Sequence, residues 1–245
     1  MKLYGLIGYP LSHSFSKKYF TEKFNKEAIK DCLFELFPLK EVQGFPDLIS
    51  NHNSLLGLAV TIPFKESILP YLHELDSVAQ KIGAVNCISF VGSTMKGFNT
   101  DAIGFEQTFR PLLKSHHTKA LVLGTGGSSK AVQYVLDKLN MKYLLVTSKS
   151  EKAIGTVGYN EIDEAMLNQY TVIVNCTPVG MFPNEKEQPA IPYQFIGKNH
   201  LLYDLIYNPL DTLFLQNGMR QGATVKNGHE MLLIQAEENW RIWNA

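Results

Sequence analysis

The residues from Ala120 to Val132, ALVLGTGGSSKAV, carry types and spacing that could hold a charged cofactor. Four apolar residues run into Gly124, Thr125, Gly126 and Gly127, and a helix-compatible run through Ser128, Lys130, Ala131 and Val132 follows. A strand, a glycine turn and a helix in that order form the phosphate grip of a dinucleotide fold. Gly124 lets the chain turn sharply, and Gly126 lets a pyrophosphate approach the backbone. Ser129, at the third position of the G-x-G-x-x-G pattern, is small enough for close helix–strand packing. The first N–H groups of the helix have no intrahelical partners and point at the anion. An ordinary tight turn rarely needs three glycines in four residues.

The strand end that follows decides which dinucleotide fits. Tyr143 to Thr147 is apolar and leads into Ser148, Lys149, Ser150, Glu151 and Lys152. An NAD site places an acid here, ~20 residues past the glycines, to bond the ribose 2′-hydroxyl. Lys149 and Lys152 would instead attract a 2′-phosphate, so the residues favour NADP, with Glu151 offsetting part of the charge. Three further polar clusters stand at strand ends of the first hundred residues: Ser14 with Ser16; Thr61 and Lys65 in TIPFK; and Asn86 with Asn99-Thr100-Asp101. Taken singly they read as caps, a solvated lysine and turn formers. Ser16 is a plausible helix cap.

Alternating strands and helices must position these residues. Lys2–Gly8, Cys32–Pro38 and Leu55–Ile62 read as strands, and Ala84–Val91 with Met95–Asn99 as a hairpin around Gly92-Ser93. Helical spacing appears after Ser16, at Val42–Ser50, at Phe64–Leu72, from Ala79 and at Ala102–Leu113. Strands at Val172–Cys176, Leu201–Leu205 and Thr224–Lys226, and helices at Leu210–Met219 and Glu230–Trp243, complete the chain. The pattern predicts an α/β fold: an N-terminal α/β substrate domain with a mostly parallel sheet, and a Rossmann-type dinucleotide-binding domain.

With 245 residues, 45% hydrophobic and 19% charged, the chain has an ordinary globular balance. Its 23 basic and 23 acidic side chains give no reason to expect a nucleic acid or membrane partner. No apolar run reaches the roughly 18 residues of a membrane span, and Gly5, Gly8 and Pro10 break the opening segment as a leader. A cytoplasmic location is expected. Cys32, Cys87 and Cys176 read as buried free thiols. His229 and Glu230 lack further ligand-like neighbours, so no metal site is expected, and His13 reads as a loop packer.

Eight collinear pieces, SHSFS, VTIPFK, GAVNC, GFNTD, GTGGSSKA, VNCTPVG, YDLIYNP and GHEMLLIQA, together resemble the shikimate dehydrogenase family from Ser12 to Ala236. The resemblance implies reversible reduction of 3-dehydroshikimate to shikimate with NADPH, on the route to aromatic amino acids. It implies that Ser14, Ser16 and Tyr207 hold the substrate carboxylate, and that Thr61, Asn86 and Gln235 bond the ring hydroxyls. It gives Lys65 and Asp101 as the catalytic pair, leaving open which of them moves the proton. Cofactor contacts would come from Gly124, Thr125, Gly126, Gly127, Ser128, Ser148, Lys149, Lys152, Thr177, Leu205 and Gly228. The family pattern has Asn-Arg at Ser148-Lys149 and an arginine near Lys152. This departure bears on the strength of the NADP preference, since lysine lacks arginine's planar fork. Ser77 stands where members often carry an acid, beside Asp76, and the C-terminus at Ala245 is expected to leave a terminal helix reduced.

The expected organisation is a substrate domain, 1–101, completed by 229–245, and an NADP domain, 102–228, with a cleft between them and a hinge at Asp101–Ala102 and near Gly228. The implied protein is a monomer or homodimer acting on a small molecule. Two alternatives remain: an NAD-dependent quinate/shikimate dehydrogenase, and a non-catalytic ligand sensor of the same fold. Intact Lys65 and Asp101 argue against the sensor.

Overall fold

The computed structural model describes residues 1–12, 14–149 and 154–245, and the chain divides into two compact units: residues 1–100 with 235–245, and residues 101–234. In the first, β1 (Lys2–Gly8) leads to α1 (Phe15–Lys26), β2 (Cys32–Pro38), α2 (Phe45–Asn51) and β3 (Leu55–Val60). Then come β4 (Glu74–Leu75), α3 (Ser77–Ile82), β5 (Cys87–Val91) and β6 (Thr94–Phe98). The sheet order is β2-β1-β3-β5-β6-β4. β1 pairs in parallel with β2 and β3, β5 is antiparallel to β3 and β6, and β4 is parallel to β6. The ends of β1 and β3, the start of β5 and the end of β6 therefore lie along one edge of the sheet. That edge carries every polar cluster of this unit named above.

The expected helix at Phe64–Leu72 is absent: turns occupy its place, ending in a single 3-10 turn at Leu69–Tyr71. Phe64, Ile68 and Leu72 have helical spacing, but the Lys65 carbonyl accepts the Val85 N–H at 2.7 Å and Leu69 turns to Glu66 instead. Pro70 lacks the N–H a helix would use. Ser16 is likewise not the cap of α1. Ser14 holds the extended cap position, without a side-chain cap bond, and Ser16 lies inside the helix. Asp76 caps α3 by accepting from Val78 N and Ala79 N, and the left-handed Gly83 closes it.

An aromatic cluster forms the core on one face of this sheet. Tyr4 stacks on Trp243 at 5.3 Å, Phe20 stacks on Phe34 at 4.6 Å, and Trp240 packs against Tyr4 and Phe24. The Trp243 indole donates to Ile88 O at 3.0 Å. Gly57 makes room for that ring, since a Cβ there would lie 2.3 Å from it.

The second unit begins with α4 (Asp101–Phe109), followed by β7 (Lys119–Leu123), α5 (Gly127–Lys138), β8 (Lys142–Thr147) and β9 (Thr156–Gly158). It continues through α6 (Glu164–Gln169), β10 (Val172–Asn175), β11 (Leu201–Asp204), α7 (Leu213–Arg220) and β12 (Thr224–Lys226) into α8 (His229–Trp243). The final nine residues of α8 belong to the first unit. All strands pair in parallel in the order β12-β11-β10-β7-β8-β9. This is the doubly wound dinucleotide-binding order, with its switch point between β7 and β10. Phe105 and Phe109 stack on each other at 4.7 Å beside Tyr203, whose hydroxyl meets Thr108 at 2.6 Å, fixing α4 to this sheet. Sequence periodicity did not reveal β9 or α6, which are short. No disulfide joins the three cysteines, and only Cys87 is buried; Cys32 and Cys176 are half-buried, short of the expected burial. Among the described residues no helix is long and apolar enough to cross a membrane.

Candidate active site

In the first unit the site is built where neighbouring strands end together. Thr61 N donates to Ile7 O at 2.9 Å and Tyr9 N to Ile62 O at 3.0 Å, joining the segments that leave β1 and β3. Thr61 packs against Gly8, where a Cβ would come 2.3 Å from its methyl. Lys65 is half-buried in the following turn, between buried Phe64 and Ile68. Its carbonyl bond to Val85 places it one residue from the backbone of Asn86. Ser14 Oγ is buried and has no hydrogen-bond partner among the described residues. Leaving a buried hydroxyl unpaired costs about 1–3 kcal/mol, a cost that a ligand acceptor would remove.

Asn86 and Gln235 are brought together with Thr100, a member of the third polar cluster, and with Asn239, which motif reading passed over. Asn86 Oδ1 accepts the Thr100 N–H at 2.7 Å, and Asn86 Nδ2 donates to Thr100 Oγ1 at 2.9 Å. Thr100 Oγ1 donates to Asn239 Oδ1 at 2.7 Å. Gln235 Oε1 receives Asn86 Nδ2 at 3.4 Å and Asn239 Nδ2 at 3.3 Å. A signal existed for Asn239: it stands one helical turn from Gln235, on the same face of α8.

In the second unit Gly124 has φ +101°, a conformation that favours glycine, and a Cβ there would lie 3.0 Å from the Thr177 methyl. A Cβ on Gly126, the extended residue preceding α5, would meet nothing within 4 Å. The turn thus leaves open space over the N-terminal N–H groups of α5, where Gly127, Ser128 and Ser129 begin the helix. Ser129 is fully buried and its hydroxyl donates to Gly126 O at 2.7 Å, locking the turn from below. These features fit a dinucleotide pyrophosphate. Ser148 and Lys149 are exposed just past β8, with Lys149 N donating to Thr147 Oγ1 at 3.1 Å. The expectations for His13, Ser150, Glu151 and Lys152 fall outside the described residues.

Across the switch point, Asn175 organises the ends of β10 and β11. Its Oδ1 accepts from Thr177 N and Oγ1 at 3.0 and 2.6 Å, and its carbonyl accepts Leu205 N at 3.0 Å. Its Nδ2 donates to Asp204 Oδ1 at 3.0 Å. Gly228 lies close against Leu205, its N–H donating to Ile206 O at 2.9 Å. Tyr207 is half-buried on the segment after β11, and Asp101 is buried as the first residue of α4, both in this unit. Lys65, Ser14, Ser16, Thr61, Asn86 and Gln235 belong to the other. Among the described residues no cluster of three His, Cys, Asp or Glu side chains could hold a metal ion.

Asp204 is fully buried, and that burial pushes its carboxyl up to about 6, restrained by donation from Thr212, Ile206 N and Asn175. Because the folded value lies above the unfolded one, this group's stabilisation is complete below about pH 4 and is lost as pH rises through about 6. Asp204→Asn keeps an acceptor and removes the titration. Its melting temperature is expected to match the wild type near pH 4 and to exceed it by several degrees at pH 8. Parallel melting curves across that range would contradict the assignment.

A doubly wound parallel sheet with a glycine turn, joined to a second α/β unit rich in polar strand ends, is the organisation of a dinucleotide-dependent oxidoreductase. Residues 6–88 match the model of the shikimate dehydrogenase substrate binding domain. A shikimate dehydrogenase (NADP(+)) from Clostridium botulinum is 36% identical over 250 residues, covering 98% of this chain and 95% of the relative. The shikimate dehydrogenase structure from Aquifex aeolicus is 32% identical with a TM-score of 0.89, covering 100% of this chain and 92% of that one. A shikimate 5-dehydrogenase from Thermus thermophilus, solved with NADP(H) and shikimate, is 26% identical with a TM-score of 0.86, covering 99% of this chain and 93% of that one. The chain belongs to the shikimate dehydrogenase family.

Proposed function

We propose that this protein interconverts 3-dehydroshikimate and shikimate with NADP(H), in the cytoplasm. Residues 1–101 with 229–245 would bind the substrate and 102–228 the dinucleotide. The observation that carries the substrate assignment is the set of Ser14, Thr61, Lys65 and Asn86 on the segments that leave β1 and β3 and enter β5 at one sheet edge, with Gln235 of α8 bonded to Asn86 and a buried hydroxyl at Ser14 that lacks a partner among the described residues. Ser14 and Ser16, with Tyr207, donate hydroxyl hydrogen bonds to the substrate carboxylate. Thr61, Asn86 and Gln235 bond the ring hydroxyls.

Bound NADP supplies the hydride acceptor in the oxidative direction and the hydride donor in the reductive one. Gly124, Thr125, Gly126, Gly127 and Ser128 would hold its pyrophosphate through backbone N–H groups and the α5 terminus. Ser148, Lys149 and Lys152 would meet the 2′-phosphate. Thr177, Leu205 and Gly228 would line the nicotinamide side. Lys65 and Asp101 act on the reacting oxygen. Oxidation of the shikimate hydroxyl requires its proton to leave with the C–H hydride, and reduction requires a proton to arrive on the developing alkoxide. One of the pair carries that proton at the side-chain Nζ or carboxylate, and the other orients it and holds its charge state.

The test is the set of initial rates on shikimate and on quinate, each with NADP+ and with NAD+. Shikimate with NADP+ is expected to give the largest kcat/KM, by about tenfold or more over NAD+, the equivalent of about 1.4 kcal/mol. The attraction of Lys149 for the extra phosphate predicts this order. Equal efficiency with NAD+, or with quinate, would move the protein to the broader-specificity branch.

A further inference from the structure

The hydrogen-bond directions among Asn86, Thr100, Asn239 and Gln235 are all set by one backbone group. The Thr100 N–H can only donate, so the Asn86 atom facing it at 2.7 Å is the carbonyl Oδ1. Asn86 Nδ2 is then the end that meets Thr100 Oγ1 and Gln235. Thr100 Oγ1, having accepted, keeps one proton, and its shortest acceptor is Asn239 Oδ1 at 2.7 Å. Asn239 must then present Nδ2 to Gln235, whose facing atom is Oε1. The four side chains close a ring: Asn86 to Thr100 to Asn239 to Gln235, with Asn86 donating to Gln235 from the other side. Asn239 is 1% exposed, and the ring accounts for both ends of its amide. Two donors converge on Gln235 Oε1, so the NH2 end of Gln235 is turned away from Asn86 and Asn239.

We propose that Asn239 is a positioning residue that fixes the amide of Gln235 with its donor end toward substrate. A ligand oxygen read by Gln235 is therefore read as an acceptor. The inference rests on the proposed role of Gln235 in holding shikimate. An aspartate at 239 keeps the size and still accepts from Thr100, but sets a second acceptor against Gln235 Oε1. Gln235 can relieve that only by turning over, which brings its NH2 against the NH2 of Asn86. Alanine at 239 opens the ring but leaves Asn86 holding Gln235.

The variants Asn239→Asp, Asn239→Ala and Gln235→Ala are compared by shikimate KM and kcat, NADP+ KM, shikimate affinity by calorimetry, and melting temperature. Asn239→Asp is expected to raise shikimate KM by about tenfold and Asn239→Ala by about threefold, with NADP+ KM within about twofold of wild type for both. An Asn239→Asp effect on shikimate no larger than that of Asn239→Ala would overturn the inference. So would shikimate and NADP+ KM values rising together, the mark of a role confined to folding. Should Asn239→Asp fail to fold, Asn239→Ala decides alone, and an unchanged shikimate KM overturns the proposal. Gln235→Ala separates the two levels. If it leaves shikimate affinity untouched, the role of Gln235 falls; if it weakens affinity while both Asn239 variants do not, only the ring's role falls.

Discussion

Lys65→Ala is expected to lower kcat for shikimate oxidation by about 10²–10⁴-fold, the usual worth of a positioned proton-transfer group. The same variant should leave NADP+ KM and the melting temperature close to wild type. Three observations support that separation. The turn carrying Lys65 is held by its backbone, through Val85 N, and by the buried neighbours Phe64 and Ile68, none of which the substitution touches. The side chain itself is half-buried rather than part of the core. The glycine turn, Thr177 and Leu205 all lie in the other unit. Near-normal turnover would remove Lys65 from the mechanism and leave Asp101 to carry the proton transfer. A matching loss in Asp101→Asn would support a pair, although Asp101 also opens α4, so its melting temperature must be measured alongside.

Two glycines of the second unit are expected to differ in stability when the same methyl group is added, although both substitutions weaken NADP+ binding. At Gly126 a Cβ would meet nothing within 4 Å, and the backbone there, φ −85° and ψ −177°, suits any residue. Gly126→Ala should therefore leave stability nearly unchanged, while the methyl group fills the space a pyrophosphate needs. Loss of one charge-assisted backbone hydrogen bond, about 1.5–3 kcal/mol, corresponds to a rise in NADP+ KM of about tenfold or more. At Gly228 a Cβ would lie 2.1 Å from Leu205 O and 2.6 Å from Leu205 C, atoms that cannot rotate aside. The chain is pinned on both sides, by Gly228 N to Ile206 O and by Leu232 N to Gly228 O. Overpacking of this kind costs about 1–3 kcal/mol or more, so Gly228→Ala should lower the melting temperature by about 5–10 °C. It should also weaken NADP+ binding by displacing Leu205. Equal melting temperatures for the two variants would contradict this account of Gly228.

The strand–turn–helix at Ala120–Val132 was legible because each local feature agrees with the fold: an apolar β7, a glycine that must take positive φ, and an amphipathic α5. The hairpin at Gly92-Ser93 was legible for the same reason. The misreading at Phe64–Leu72 came from apolar spacing that is genuinely helical, overridden by Pro70 and by the tertiary bond between Lys65 and Val85. Strand β9 and helix α6 are too short to establish a period. In the candidate site, residues inside motifs could be named in advance, whereas for Asn239 the sequence offered only its spacing of one helical turn from Gln235. Nothing in the local sequence says that Thr100 lies opposite a residue 139 positions away. Such a ring exists only once α8 and the end of β6 are packed together.

Turnover of shikimate with NADP(H) is read most directly from the steady-state rate at which the purified protein forms NADPH from shikimate and NADP+. Saturable, shikimate-dependent turnover that disappears in Lys65→Ala is expected. A folded protein that binds shikimate but forms no NADPH, and consumes none with 3-dehydroshikimate, would contradict it and favour a ligand sensor built on the same fold.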